Sequence, residues 1–531
     1  MSQPFGFSCK GGLNTNLNEF DMLQQPGVAK ELLNFEVHPD GGYRRINGYA
    51  PYGTTRPENN SVVHGVIPYA LGVVVCVGNS IYYSETGTSW LQINKATGHN
   101  GALEAELAAL PTLNRPDQDQ AQFVIMRAAT GHTNSSYGSL TIATGADPVA
   151  HFHIDGVGSN RKFIYEEISA PSAGKYVELL DRHLCIVDTT NDPSTVYYSA
   201  TNDDRSFTGT GSGSVTIADR ITGIKSFRGS LFIFCENTIH RLDNINDAAN
   251  TAVIQITNNV GCLSGYSIQE IAGDILFLAP DGLRLVAATA RIGDVELGSV
   301  SRQVQSLVAN VTENISDYKI SSVVLRSRSQ YRLFYTGTGS DINASFGLVG
   351  TLTANGFEWS QIKGVQAPAI SSEFDASGEE KTYHGDNLGY IYLHDTGNYF
   401  YQDGAERTIN AYYKTPNLDF GDAGTLKTLK YAKISFGPEG TISPYLRVRY
   451  NYEDGAIPQP EDYLIYGIRY PAIFGSSEFG DATFGGSLDP TSRNAIEGSG
   501  DTVSFRIYSE DNKAPYSING LYINYTPAGR R

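Results

Sequence analysis

Histidines at short spacings are the residues of this chain whose type and position could hold a metal ion. His151 and His153 alternate along one predicted strand and so share a face, with Asp155 as the nearest further ligand. Zinc needs further ligands around such a pair, and none besides Asp155 is evident, so we interpret the pair as packing or surface residues. His384 and His394 flank a Gly-Asp-Asn turn and are interpreted as turn residues rather than as a catalytic pair.

Acidic pairs, nucleophile motifs and phosphate loops are the other patterns that indicate catalysis. Asp243 with Asp247, and Asp419 with Asp422, have the residue types of a glycosidase pair, but such pairs are frequent in any acidic chain. The sequence has no G-x-S-x-G and no phosphate-loop motif. The Gly-rich stretch 209–215 precedes a strand-like run and predicts a flexible loop. We therefore predict no enzyme, no catalytic residues, no metal and no cofactor.

Composition and charge exclude several classes of protein. The chain has 531 residues and a net charge of −17 without a Lys/Arg stripe, which argues against sequence-specific DNA binding. It has no apolar run long enough for a transmembrane helix and no secretory signal pattern at its start. We interpret the three cysteines in apolar runs, Cys76, Cys185 and Cys235, as buried thiols of a protein made in a reducing cytosol, and no two of the five cysteines have C-x-x-C spacing. The five are Cys9, Cys76, Cys185, Cys235 and Cys262.

Short strands are predicted along almost the whole chain. Runs of four to eight β-branched, aromatic and aliphatic residues alternate with Gly, Asn, Asp and Ser. Two stretches predict short helices: 102–110, rich in helix formers, and 303–315, with an amphipathic face. The fold class is therefore all-β.

A repeat in the middle of the chain predicts a β-propeller. The second strands of successive units begin at Thr195, Thr238 and Gly282, at intervals of 43 and 44 residues. Several short strands per 40–50 residues are typical of propeller blades. We predict six or seven blades within a propeller domain at 61–403.

Two turns in this repeat resemble the Asp-box of sialidase-type propellers. They lie at 83–90 and 200–207 and end in Trp90 and Phe207. We interpret them as structural, with a polar side chain on backbone N–H groups and the aromatic ring between blades.

The last part of the chain, 404–531, has a different pattern. Its strands alternate apolar and polar residues, which is typical of antiparallel sheets with one solvated face. We predict a C-terminal β-sandwich or barrel with a long loop at 455–500. Three Phe-Gly pairs in that loop, at 474–475, 479–480 and 484–485, indicate contact with a partner subunit or a local cluster.

Short motifs at both ends carry a family resemblance. The first 50 residues contain a Gly-Gly-x-Asn start, a Gln-x-Pro-Gly-x-Ala segment, an Asn-Phe pair and a Gly-Gly-Tyr-Arg-Arg element; the chain closes on Gly-Arg-Arg. In this order, and with Pro280–Arg284 in the middle, the chain resembles the tail hub and nozzle proteins of short-tailed bacteriophages. The motif residues are Gly11, Gly12, Asn14, Pro26, Gly27, Asn34, Gly41, Gly42, Arg44, Arg45, Gly529, Arg530 and Arg531.

The resemblance implies a structural virion protein. Such proteins form a hexameric ring below the portal adaptor, extend the channel for DNA ejection and contact tail fibres or spikes. It implies that the motif residues serve assembly, that 1–60 is an extended docking segment, and that the protein is made in the host cytoplasm. An acidic lumen would let DNA pass without binding. On this interpretation, removing residues 1–50 leaves the propeller folded.

A glycan-directed propeller is the alternative. The Asp-box-like turns are compatible with a propeller glycan hydrolase, or with a glycan-binding adhesin that carries a carbohydrate-binding sandwich. A sialidase-like centre needs three arginines, however, and Arg is sparse in the apolar strands.

Overall fold

β-Branched and aromatic residues fold this chain into an all-β protein whose main body is a β-propeller. The computed structural model describes residues 2–39, 41–94, 101–127, 137–247, 250–287, 299–338, 345–375, 377–402, 404–466, 470–471, 482–483 and 491–530. Most strands have six to nine residues, and the central strands of the blades are almost wholly buried, as the runs of Val, Ile and Phe require.

Blades 1 to 4 are four-stranded antiparallel sheets that follow one another along the chain. Blade 1 comprises Val63–Tyr69, Gly72–Val77, Ser80–Ser84 and Leu91–Gln92. Blade 2 comprises Gln118–Met126, Ser139–Gly145, Ala150–Asp155 and Lys162–Glu167. Blade 3 comprises Gly174–Leu180, His183–Asp188, Thr195–Tyr198 and Gly213–Thr216. Blade 4 comprises Ile221–Phe227, Ser230–Cys235, Ile239–Asp243 and Ala252–Thr257.

Blades 5 to 7 complete the ring, and blade 5 has three strands. Blade 5 comprises Gln269–Ile271, Asp274–Ala279 and Gly282–Leu285. Blade 6 comprises Tyr318–Leu325, Gln330–Gly337, Phe346–Thr353 and Gly356–Lys363. Blade 7 comprises Ala369–Phe374, Glu380–Gly385 and Ile391–His394 from the middle of the chain and Tyr49–Pro51 from its start. Six four-stranded blades and one three-stranded sheet thus surround one axis, and the predicted propeller is confirmed.

Apolar clusters between neighbouring blades hold the ring together. Val66 and Val75 of blade 1 share a buried cluster with Tyr383 and Ile391 of blade 7, which closes the circle. Similar clusters join blade 1 to blade 2, blade 2 to blade 3, blade 3 to blade 4, and blade 4 to blade 5. This face-to-face burial is the main source of propeller stability.

The start of the chain supplies the outer strand of the last blade. Tyr49–Pro51 pairs antiparallel with Ile391–His394 and parallel with Phe400–Gln402, which pairs in turn with Ala405–Arg407. Residues 49–51 are therefore part of the propeller, and the strands of blade 7 cross the predicted boundaries at 60 and 403.

Two large sheets form the C-terminal part, and both include strands from the first 45 residues. One sheet comprises Gln3–Ser8, Phe35–Val37, Tyr43–Arg45, Thr425–Pro438, Thr491–Ala495, Ser499–Gly500 and Tyr516–Arg530. The other continues blade 6: Gly356–Lys363 pairs with Glu31–Leu33, which is followed by Ile409–Lys414, Val503–Asp511, Tyr445–Tyr450 and Tyr463–Leu464.

One apolar core joins these two sheets to the propeller. It contains Leu13, Phe35 and Tyr43 from the start of the chain, Trp359 from blade 6 and Ile518 from the last strand. Residues 1–60 are thus not a detached extended segment, because their apolar side chains are needed to complete this core.

Helices are few and short. In the described part of the chain, α-helices include Glu19–Leu23, Glu104–Leu107 and Gln305–Glu313, so the two predicted helices exist within narrower bounds. Single turns of 3-10 helix lie at Gly158–Asn160, Gly265–Ser267, Arg302–Val304, Ile315–Asp317, Arg326–Arg328 and Asn451–Glu453. None of the helices that the structure describes has the length and apolar character to cross a membrane.

The predicted loop at 455–500 contains short strands at Tyr463–Leu464, Tyr470–Pro471, Ala482–Thr483, Thr491–Ala495 and Ser499–Gly500. The three Phe-Gly pairs lie outside the described residues.

Candidate functional site

Most of the residues predicted for assembly lie in one region, which we call the junction: residues 9–46 with blade 6 and the last strand. The Gly11 N–H donates to the Glu358 carboxylate at 2.7 Å. Gly12 has φ +66°, and a Cβ there would lie 2.8 Å from the Trp359 backbone nitrogen, so only glycine fits. The Asn14 side chain accepts bonds from the N–H groups of residues 16 and 17.

The middle motifs of the junction are equally closely packed. A Cβ on Gly27 would lie 2.0 Å from the Ser8 carbonyl oxygen, while half-buried Pro26 precedes it in the turn. Asn34 has φ +53° and is buried. Its amide donates to the Asn410 carbonyl at 2.7 Å and accepts from the Lys363 N–H at 2.9 Å, so it binds blade 6 to the C-terminal sheet.

The Gly-Gly-Tyr-Arg-Arg element forms a turn, and its two arginines, Arg44 and Arg45, contact different parts of the structure. Gly41 is exposed with φ +100°, whereas the N–H of Gly42 donates to the Cys9 carbonyl. Arg45 is completely buried and donates to the carbonyl oxygens of Asp511 and Lys513, which precede the last strand.

Arg44 belongs to a buried charge cluster centred on Glu36. The Glu36 carboxylate lies 2.8 Å from the Arg44 guanidinium, 3.1 Å from that of Arg328 and 3.5 Å from that of Arg332. Asp395 of blade 7 completes the cluster, 3.2 Å from Arg332. The Glu36 carboxyl is buried, which alone would raise its pKa, but the three arginines outweigh burial and hold the pKa below its ordinary value.

The end of the chain reaches the surface. Gly529 is exposed with φ +106° at the end of the strand Tyr516–Arg530. Nothing is described of the Arg530 side chain, and Arg531 lies outside the described residues.

The junction brings together residues that the sequence places far apart, and most of them face inward. Their contacts fasten the start of the chain to blade 6, blade 7 and the last strand. The sequence analysis missed Arg328, Arg332 and Asp395. The polar residues Arg328, Gln330 and Arg332 recur at every second position beside a buried strand, a signal that could have pointed to a polar cluster there.

The histidine pairs lie inside the propeller. His384 and His394 are buried in blade 7 with ring centroids 4.3 Å apart, and Tyr49 packs against both. Neither ring nitrogen of His384 has a hydrogen-bond partner in the described part of the chain. Burial lowers the pKa of His394 to about 3, helped by Arg332 and Arg328, and lowers the pKa of His384 well below its ordinary value.

His151 and His153 share one face of blade 2, as their spacing predicts, and both are buried. His151 Nδ1 lies 3.4 Å from Asp204 of blade 3, and His153 Nε2 lies 3.7 Å from Asp155. No group of three metal-binding side chains was found among the described residues.

The Asp-box-like turns connect blades. In the turn at 200–207, the Asp203 carboxylate accepts the N–H groups of Arg205 and Ser206, while Asp204 contacts Ser139 of blade 2. Phe207 packs between blades 2 and 3. In the turn at 83–90, Ser84 accepts the Gly87 N–H, and the Trp90 indole donates to the Thr55 carbonyl.

The two carboxylate pairs are engaged in local contacts. Asp243 binds Arg241 at 2.8 Å, and Asp247 accepts from the amide of Asn250. Asp419 and Asp422 accept backbone N–H groups within their own turn, at Gly421 and Gly424.

The propeller axis contains a cavity of about 280 Å³ that is crossed by side chains. Gln120 of blade 2 reaches across to the carbonyl oxygens of Ile320 and Pro368, and the Tyr266 hydroxyl donates to the Gln120 carbonyl. Further along the axis, Lys225 lies 3.0 Å from Glu178. These hydrogen bonds and this ion pair cross the axis and leave too little space for a polymer chain to pass along it.

Comparisons with known proteins do not indicate a function for this chain. No family model and no curated protein matches the chain. The AfRom2 CNH domain aligns with TM-score 0.36 and 11% identity over 65% of this chain and 98% of that one. PorZ, a surface component of the type-IX secretion system of Porphyromonas gingivalis, aligns with TM-score 0.36 and 10% identity over 70% of this chain and 43% of that one. Similarities at this level support no argument about function.

Proposed function

We propose that this protein is a structural subunit of a short bacteriophage tail. Copies of the chain form a ring, the hub or nozzle, that extends the DNA-ejection channel below the portal adaptor and contacts fibres or spikes. The subunit acts mechanically in the virion and not as an enzyme.

The observation that carries this proposal is the convergence of the family motifs. Gly11, Gly12, Asn34, Gly42 and Arg45 resemble the motifs of the tail hub and nozzle proteins, and all five lie in the junction with close contacts of their own. Residues that jointly hold one region support a shared architecture.

The narrow propeller axis limits the routes by which DNA could pass the subunit. Gln120 and Tyr266 bridge the axis, and the remaining cavity of about 280 Å³ is far too small for a duplex. A DNA channel must therefore lie between subunits, which requires a closed ring. The net charge of −17 is compatible with a lumen along which phosphates slide without binding.

Native mass spectrometry combined with a glycan assay tests the proposal. We expect the purified chain to form a closed oligomer, six copies on the family resemblance, and to leave sialylated and neutral glycans unchanged. A chain that stays monomeric and turns over a glycan would contradict the proposal and favour the glycan-directed alternative.

A further inference from the structure

Three tyrosines lie side by side on the outer face of the C-terminal sheet. Tyr412 is paired with Tyr508, and Tyr508 is paired with Tyr445, so the three form a row across adjacent strands. Their strand neighbours Tyr413, Ile507 and Leu446 point inward and are buried. The row therefore lies on the face of the sheet that is turned away from the core.

A second row, of cations, runs beside the tyrosines. Lys414, Arg506 and Arg447 occupy the next outward positions and are paired in the same register. The Arg506 guanidinium lies 3.8 Å from the centre of the Tyr412 ring, and that of Arg447 lies 5.2 Å from the centre of the Tyr508 ring. We call the two rows together the Tyr–Arg face.

The cations of this face differ in their counter-charges. Lys414 is 2.8 Å from Glu453, and Arg447 is 2.7 Å from Asp462. No carboxylate of the described chain lies within ion-pair distance of Arg506, which is held by Tyr412 instead. Within the described part of the subunit, the centre of the face thus presents an arginine that forms no ion pair.

The geometry favours a protein partner over stacked bases. Tyr445 and Tyr508 stack with an interplanar angle of 17°, and Arg506 covers Tyr412. Because these ring faces already contact other side chains, the ring edges and the Arg506 guanidinium remain for contact with a partner. Tyr and Arg are enriched at the energetic centres of protein interfaces, and here stacking already holds their side chains in place.

From these observations we infer that the Tyr–Arg face binds an acidic surface of a second copy of this chain. The inference rests on the proposed ring. It follows from charge complementarity, because a chain with net charge −17 offers acidic surface to a face whose central arginine has no ion-pair partner among the described residues. Since this face meets a different surface of the neighbour, the contact is head-to-tail, the type that closes into rings.

Charge reversal at the centre of the face tests the inference. Arg506→Glu is compared with Arg493→Glu, a matched control on the other sheet whose guanidinium lies 4.2 Å from the Tyr431 ring centre. We expect wild type and Arg493→Glu to form the same oligomer by light scattering. Arg506→Glu should weaken assembly at least about tenfold, and Arg506→Lys should largely retain it.

Circular dichroism and thermal unfolding confirm that each variant is folded. If Arg506→Glu is unfolded, Tyr445→Asp at the exposed end of the row replaces it, with the same expected loss of assembly. Unchanged oligomers in the folded variant would overturn the inference and leave the proposed ring standing. A monomeric wild type would overturn both. Loss of binding to single-stranded DNA without loss of the oligomer would show a different partner and also overturn the inference.

Discussion

Single residues of the junction show what the family motifs do physically. Glu36 is buried between Arg44, which is near it in sequence, and Arg328 and Arg332 of blade 6, so its contacts join the start of the chain to that blade. A buried carboxylate is costly to desolvate, but three guanidinium groups and hydrogen bonds compensate it. Removing it leaves the three guanidinium groups to share Asp395 and Glu439 as their remaining counter-charges in the described chain.

We therefore expect Glu36→Ala to lower the free energy of unfolding by about 3–5 kcal/mol. Glu439→Ala is the matched control, because that carboxylate also contacts Arg44 but its side chain is 42% exposed; its cost should stay below about 1 kcal/mol. Chemical denaturation measures both. Equal losses for the two variants would contradict the structural role given to Glu36.

The buried histidines make a prediction about pH. The pKa of His394 is lowered to about 3 and that of His384 also lies below its ordinary value, so the unfolded chain takes up protons before the folded one does. Stability is complete above about pH 6.5 and is lost as the pH falls toward 3. Between pH 7 and 5 we expect a loss of about 2 kcal/mol from His394, with a further loss from His384.

The variant His384→Phe checks this assignment, since it keeps a ring against Tyr49 but cannot be protonated. Its free energy of unfolding should fall less between pH 7 and 5 than that of wild type. An unaltered pH dependence in His384→Phe would contradict the prediction.

At the scale of elements, the start of the chain is a set of strands shared among neighbouring sheets. Glu31–Leu33 joins blade 6 to the C-terminal sheet, and Tyr49–Pro51 closes blade 7. Leu13, Phe35 and Tyr43 complete the common core. The expectation that residues 1–50 could be removed from a folded propeller does not fit this arrangement.

Deleting residues 1–50 should therefore prevent correct folding of the C-terminal part and expose Trp359, which packs under Gly12. Deleting only residues 2–8, a mostly exposed strand at a sheet edge, should have a small effect. Tryptophan fluorescence and thermal unfolding distinguish the two. A cooperative transition like that of wild type in the longer deletion would disprove the role of these strands.

The blades could be predicted from sequence because their hairpins are local. Antiparallel neighbours such as Ser230–Cys235 and Ile239–Asp243 are a few residues apart, so turns and apolar runs recur with a regular period. The strands at the start of the chain have only three residues, and Leu33 pairs with Gln361, more than 300 residues away. Periodicity cannot reveal such partners.

The site was predictable in part for a similar reason. Glycine and asparagine motifs showed where the backbone needs positive φ, as at Gly12 and Asn34. Sequence spacing could not show that these residues face the interior of their own subunit. The Tyr–Arg face depends on the register of three strands far apart in sequence, which spacing alone does not give.

At the scale of the whole molecule, the propeller and the C-terminal part share one nine-stranded sheet and one core. The segment 404–531 expressed alone lacks Glu31–Leu33, Phe35–Val37 and Tyr43–Arg45. We expect it to be unfolded or aggregated, as judged by circular dichroism and NMR dispersion, because its core would be open to water. A well-dispersed spectrum would show that it is an independent domain.

Electron microscopy of the purified full-length chain tests the central claim most directly. Class averages should show closed rings with an opening between subunits, while the axis of each propeller stays blocked by Gln120 and Tyr266. The contrary result is single, separate propellers at every concentration, including the concentrations at which tail proteins assemble. That result would contradict the claim that this chain is a ring subunit of a short phage tail.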